Sequence, residues 1–347
     1  MSVLKLDYPD YEVLVIEDRS TDDTANVLRK LKSSSESRFS YISRPEGSTP
    51  GKSAALNDAL SHVQGEILCI LDADALVEPD FLKKLIPNFC ESTIGAVQAR
   101  KTLLNPHQNW LTLCQKYEYA LDNYLQVRRD SLHGAVELRG NGMLVKREVL
   151  EALGGWNEYS LSEDLDFCTR MHASGWDLRY IPTVQVWEEG LTDLRPLIRQ
   201  RLRWTEASLI RYLENAGQLL FNRKLAFRTK LDMMQFVFEF VSPIWMLLEN
   251  LLLIFRWATG QLSGTPVLFS SAALLVLSIY FFWATFQGIH RFNQASIFQA
   301  LKGTVITYLY LSILWLPIVF ILFARILFQS ERNLKWDKTP HYGVAVE

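Results

Sequence analysis

Two aspartates two residues apart, Asp72 and Asp74, close the apolar run Ile67-Leu68-Cys69-Ile70-Leu71. In an open α/β sheet, ligands bind at the carboxyl ends of the strands. Two hard oxygen donors at such a position suit a divalent cation, which usually brings phosphate oxygens with it. Asp18 ends a second apolar run, Val13-Leu14-Val15-Ile16. Strand-end acids in one parallel sheet face the same edge, although a helix-capping acid is an equally ordinary use of Asp18. The chemistry indicated is that of a nucleotide-like, phosphorylated substrate.

Three further groups could act on such a substrate. Lys52 lies in Glu46-Gly47-Ser48-Thr49-Pro50-Gly51-Lys52-Ser53. A nucleotide-hydrolysing phosphate loop would need glycine where Glu46 stands, so that motif is excluded. A lysine beside a helix start can still meet a pyrophosphate, and it can equally be a surface lysine. Glu163 and Asp164 follow Ser162 in an acid-rich stretch after the turn Gly154-Gly155-Trp156-Asn157. An acid there could serve as general base toward a hydroxyl, while the same residues also make a good helix start. Gln200, Arg203 and Trp204 combine an amide, a guanidinium and an indole. Arg203 could neutralise a leaving diphosphate and Trp204 could stack on a sugar face; otherwise they belong to an ordinary basic helix.

The elements that must position these groups read as an α/β domain. Short apolar runs predict strands at 13–16, 39–42, 67–71 and 95–99, with helices ending at Lys32 and covering 51–62 and 81–89. Alternating strands and helices imply parallel βαβ units. Residues 106–129 carry a helical stripe of Trp110, Leu113, Tyr117, Leu121 and Tyr124, facing either the core or a membrane interface. Residues 195–214 form a second amphipathic helix, crowded by Arg195, Arg199, Arg201, Arg203 and Arg211 with almost no acids, as for a membrane-surface helix.

From about Leu231 onward the chain becomes far more apolar. The stretches 231–257, 266–287 and 304–328 reach the length of about 20 residues that a bilayer span needs. Arg223, Lys224, Arg228 and Lys230 precede the first, which places the soluble domain in the cytoplasm. Glu239 and Glu249 make that first stretch the weakest span, so the number of crossings stays open. The expected division is a catalytic domain over 1–194, an interface helix region over 195–230, transmembrane helices over 231–328 and a tail over 329–347. No apolar leader follows Met1, and Cys69, Cys90, Cys114 and Cys168 form no CxxC pair, as for reduced, buried thiols in a cytoplasmic domain.

The order of the motifs is more specific than any one of them. A strand-end Asp, Gly-Lys-Ser-Ala-Ala-Leu-Asn, Asp-x-Asp, Glu-Asp, Gln-x-x-Arg-Trp and apolar segments follow one another. In this the chain resembles the membrane-embedded family 2 glycosyltransferases, over nearly its whole length. Gly95–Lys101, Glu137–Gly142, Gly154–Glu158, Glu188–Thr192, Arg203–Glu206 and Leu334–Thr339 look most like the glycolipid-forming branch that makes monoglucosyldiacylglycerol.

The resemblance implies a nucleotide-sugar-binding, GT-A-like parallel-rich sheet with flanking helices, followed by transmembrane helices. It implies inverting transfer of a hexose, glucose above others, from a UDP-sugar to a lipid such as diacylglycerol; nucleic acid is not an expected partner. Asp18 would hold the uracil or ribose side, Lys52 the nucleotide or diphosphate, and Asp72 the nucleotide sugar. Asp74, with Asp72, would hold Mg²⁺ or Mn²⁺. Asp164 would be the catalytic base with Glu163 beside it, and Gln200, Arg203 and Trp204 would close over the diphosphate and acceptor. The family's first strand would precede Leu6-Asp7-Tyr8-Pro9, where few residues remain, so the chain resembles a truncated member whose sheet has an uncovered edge. The alternatives are a processive polysaccharide synthase and a truncated non-catalytic relative.

Overall fold

The structure, a computed structural model, describes residues 2–34, 38–260 and 266–328. The expected tail over 329–347, with Leu334–Thr339, lies outside the described residues.

Strand β1 (Val13–Glu17), helix α1 (Thr24–Ser34) and strand β2 (Phe39–Ser43) form a parallel βαβ unit in register Val13↔Phe39. Helix α2 (Lys52–Leu60) leads to β3 (Ile67–Ile70), β4 (Leu76–Val77) and α3 (Phe81–Leu85). Then come β5 (Ile94–Leu103), α4 (Trp110–Ser131), β6 (Met143–Lys146), α5 (Arg147–Ala152), α6 (Glu163–Ala173) and β7 (Asp177–Glu188). Four long helices follow: α7 (Leu194–Phe221), α8 (Phe227–Ala258), α9 (Pro266–Phe292) and α10 (Ile297–Phe328).

The main sheet has the order β3-β6-β5-β7-β4. β5 and β7 are parallel, and β6 runs antiparallel to both β3 and β5, so β3, β5 and β7 point the same way. β3 is an edge of this sheet, and β1–β2 pair separately. Phe167 and Met171 of α6 pack with Val149 and Leu150 of α5 on one side. Phe81 and Leu85 of α3 pack with Val97, Leu144 and Val186 on the other. Burying a side chain of this size contributes about 1.5–3 kcal/mol, so these two layers fix the sheet that carries the site.

The stripe on α4 faces protein. Leu121 and Tyr124 are buried with Ala284 of α9, and Trp110 at the helix start is exposed. The two helices approach closely at Gly288, where a Cβ would come within 2.3 Å of the Ala120 carbonyl oxygen. Asn109 and Thr112 fix the start of α4 by a reciprocal capping box. The arginine-rich helix α7 does find acids, from elements distant in sequence. Arg201 forms a two-pronged ion pair with Glu118 at 2.9 Å, and Arg211 pairs with Glu137.

Among the described residues, Ile297–Phe328 is one continuous helix long and apolar enough to cross a membrane. Phe227–Ser242 and Leu247–Ala258 reach that standard only together, across a 43° bend, and the stretch 266–287 lies within α9. All four cysteines are free thiols, but Cys69 and Cys90 are exposed, so burial holds only for Cys114 and Cys168. Cys69 stands on the edge strand β3, opposite Leu144 of β6, with the other side of the strand unpaired in the main sheet.

Candidate active site

The site lies where β3 ends. Asp72 and Asp74 occupy the turn between β3 and β4, half-buried. Lys52, the first residue of α2, reaches across to this turn. Its Nζ donates to Asp72 Oδ1 at 2.7 Å and to the Gly140 carbonyl at 2.9 Å, and it pairs with Glu163 Oε1 at 2.9 Å. An ammonium has three N–H groups, so these three contacts occupy all of them. Lys52 thus joins α2, the β3 end, the loop before β6 and the start of α6. Burial opposes its charge, but Glu163 and Asp72 more than offset this and hold the ammonium well above the usual lysine range. Burial pushes the Glu163 carboxyl up, against the pull of Lys52.

Asp164 sits on the first turn of α6, next to Glu163. Its Oδ1 accepts from the Leu165 amide at 2.8 Å and from the Ser162 hydroxyl. Ser162 therefore orients Asp164 and makes no side-chain cap on the helix. The other oxygen, Oδ2, faces the Gly140 loop, 3.1 Å from where a Gly140 Cβ would be.

That loop is the part of the site to which the residue types gave no role. Gly140 and Gly142 have φ of +72° and +70°. A Cβ on Gly142 would strike Val186 at 2.5 Å. Asn141, between them, accepts from the Asp72 amide at 3.2 Å and donates to Glu188 Oε2 at 3.1 Å. Gln98, fully buried on β5, clamps the loop by donating to the Asn141 carbonyl at 2.9 Å and accepting from the Arg139 amide at 2.8 Å. Gly-Asn-Gly is the sequence signal that could have marked this loop.

Glu188 at the end of β7 also accepts from the Tyr119 hydroxyl and pairs with Lys101 at 2.9 Å. The Lys101 ammonium lies 5.4 Å from the centre of the Trp204 ring, and the Arg201 guanidinium lies 4.3 Å from it. Trp204 is therefore linked to the β3 end through Lys101, Glu188 and Asn141. Gln200 accepts from Arg201 at 2.5 Å. Arg203 is half-buried on the same helix. Asp18 is set apart, on the two-stranded sheet, paired with Arg19 at 3.0 Å and Arg44 at 2.9 Å. Arg44 binds Asp58 of α2, which connects Asp18 to the Lys52 helix at one remove.

The arrangement makes Gly140 a sensitive position. Gly140→Ala forces a left-handed backbone on an L side chain, at about 1–2 kcal/mol, and presses its methyl on Asp164. With Asp164 as the base that the family resemblance implies, turnover is expected to fall about 10- to 100-fold, as for a small misplacement of a catalytic group, with nucleotide binding nearly retained. Steady-state kinetics on folded variant checks this; unchanged kcat would exclude a role for Asp164 geometry.

The chain is 36% identical, over 99% of its own length and 73% of the relative's, to the beta-monoglucosyldiacylglycerol synthase of Nostoc sp.. It is 34% identical over 99% of its length to the synthase of that name from Synechocystis sp.. It is 26% identical to the poly-beta-1,6-N-acetyl-D-glucosamine synthase of Staphylococcus epidermidis, covering 92% of this chain and 75% of that one. A mannosyltransferase from Pyrobaculum calidifontis, solved with GDP-Man and Mn²⁺, has a similar fold. The TM-score is 0.58 at 22% identity, over 89% of this chain and 81% of that one. The sheet with its flanking helices is thus a GT-A-like glycosyltransferase fold. The model of the glycosyltransferase-like family 2 matches residues 1–207, the whole stretch from β1 through Trp204, and the chain belongs to that family of glycosyltransferases.

Proposed function

We propose that the protein transfers one glucose from UDP-glucose to the free hydroxyl of diacylglycerol at a membrane surface, with inversion at the sugar carbon. The observation that carries this is Asp164: a carboxylate with one oxygen anchored by Ser162 and Leu165 and the other directed at the loop beside the Asp72–Asp74 turn. Its relatives' names supply the acceptor class.

In this reading Asp164 Oδ2 takes the proton of the acceptor hydroxyl, whose oxygen forms a bond to the anomeric carbon. The bond from that carbon to the diphosphate oxygen breaks on the opposite face, and UDP leaves with the electron pair. The transition state has oxocarbenium character. Lys52 spends its donors on Asp72, Glu163 and Gly140, so it positions the acids; Gln200, Arg203 and Trp204 close over the diphosphate and the acceptor.

Asp72, Asp74, Glu163 and Asp164 bring four carboxylates to one edge, and Lys52 pairs with Asp72 and Glu163. Two like charges about 4 Å apart cost about 4 kcal/mol at an effective dielectric of about 20. A diphosphate therefore needs added positive charge to bind here. Among the described residues no three His, Cys, Asp or Glu side chains form a metal cluster. A pair of carboxylates plus phosphate oxygens is nevertheless the usual Mg²⁺ donor set, so the turn fits Mg²⁺ or Mn²⁺. Asp74, with Asp72, would hold the ion, which when bound would offset the charge developing on the departing diphosphate.

Membrane attachment rests on the apolar helix α10 and on exposed apolar residues such as Leu248, Ile254, Phe255 and Ile313. We place the catalytic domain, 1–194, on the cytoplasmic side, with 195–230 at the interface and 231–328 in the bilayer. Incubating membranes that contain the chain with labelled UDP-glucose, diacylglycerol and Mg²⁺ should put the label in the organic phase. Label in an insoluble polymer would instead support a polysaccharide synthase.

A further inference from the structure

A cavity of about 200 Å³ lies between β5, the first half of α4 and the turn joining α9 to α10. Arg100, Lys101 and Lys116 contribute three cations to its lining, and no acidic residue lines it. Two of its donors lack partners among the described residues. Arg100 Nε and Asn293 Nδ2 are both shielded from solvent and have no hydrogen-bond acceptor. Buried donors are paired in all but a few cases, and an orphan pair at one cavity marks a missing acceptor. The Arg100 guanidinium is held in place, 5.3 Å from the centre of the Phe292 ring and within 3.5 Å of the Phe292 carbonyl. Burial pushes the pKa of Arg100 and of Lys116 down, the direction for cations that lack a counter-ion.

We propose that this cavity is a phosphate-binding site, separate from the sugar-transfer site, that takes the headgroup of an anionic phospholipid. A phosphate offers several acceptor oxygens to cations and N–H donors together. The volume holds a phosphate with a glycerol-sized group. The turn that forms one wall leads into α10, where Ile297, Phe298, Leu301 and Val305 are exposed and could receive acyl chains. Lys101 is shared: it lines the cavity and pairs with Glu188, which bonds Asn141 of the catalytic loop. An anion in the cavity therefore lies one residue from the acceptor side of the site.

The test titrates the full chain in non-ionic detergent with dihexanoyl-phosphatidylglycerol, dihexanoyl-phosphatidylcholine and glycerol 3-phosphate, reading affinity by calorimetry. Phosphatidylglycerol should bind, phosphatidylcholine should bind at least about tenfold more weakly, and Arg100→Gln or Lys116→Gln should each weaken the former about tenfold. That is the scale of one lost charge-assisted hydrogen bond. Glycerol 3-phosphate binding as tightly, with the same sensitivity to both variants, would support the phosphate site but overturn its assignment to a lipid. Equal binding of both phospholipids, or variants that bind like the parent, would overturn the proposal. Should Arg100→Gln fail to fold, Lys116→Gln and Asn293→Ala carry the same comparison.

Discussion

Asp164→Asn is expected to lower kcat by about 10²–10⁴-fold, the usual contribution of a positioned general base, and to leave UDP affinity within about twofold, because no ligand charge is matched by this residue. The amide keeps the size of the side chain, and its oxygen can still accept from the Leu165 amide and the Ser162 hydroxyl. What it loses is the capacity to take a proton at Oδ2. Parallel measurement of turnover and of UDP binding by calorimetry checks both halves. Retained turnover would remove Asp164 from the base position. Loss of UDP binding together with turnover would assign it to the nucleotide instead.

The largest effect on stability is expected at Glu137, away from the chemistry. This carboxylate is buried and receives Arg129 and Arg139 at 2.8 Å each, together with Arg211 from α7. Arg139 precedes Gly140, so Glu137 ties α4, α7 and the Gly140 loop to one point. Burial alone would raise its pKa, but Arg211, Arg129 and Arg139 pull it far below the usual carboxylate range. Glu137→Gln leaves the Arg211 guanidinium buried without its counter-charge, which costs about 3–5 kcal/mol for a broken buried pair. The sign of the pH dependence follows from the lowered pKa. The stabilisation is fully present above the unfolded value of 4.5 and is lost as pH falls from there toward the folded value. Thermal melts in detergent should show the parent losing stability between pH 5 and pH 3 more steeply than Glu137→Gln. Equal slopes would mean that Glu137 is not held ionised by the arginines.

Much of the edge that carries the candidate site was legible because its parts are local. The run from Ile67 to Leu71 and the two aspartates after it announce a strand end, and β3 and its turn stand there. β1, β2, α2 and α4 follow from local apolar runs and stripes in the same way. β7 was not legible. Pro182 interrupts it, and a proline argues against a strand interior. The structure accommodates it in a bulge, where the pairing with β5 jumps from Ala99↔Ile181 to Arg100↔Gln185. β6 is four residues long and follows Gly-Asn-Gly, so it offers too short a period to read.

Partnerships between distant residues were the other gap. Lys52 as a lone lysine is a weak signal, and nothing near it in sequence announces Asp72, Glu163 and the Gly140 carbonyl as its three acceptors. The same holds for Arg201 and Arg211, whose acids come from α4 and from the strand approach at Glu137. Asp18 shows the reverse case. Its strand-end position was readable, but its described partners are Arg19 and Arg44 on the separate two-stranded sheet.

The measurement that tests the central claim most directly is the structure of the product formed by the full chain from UDP-glucose and diacylglycerol, with Asp164→Asn as control. Mass spectrometry of the lipid fraction should show one hexose per diacylglycerol, and proton NMR should show a β-linkage, since inversion turns the α-linked donor into a β-product. An α-linkage, a chain of hexoses, or equal product from Asp164→Asn would contradict the account.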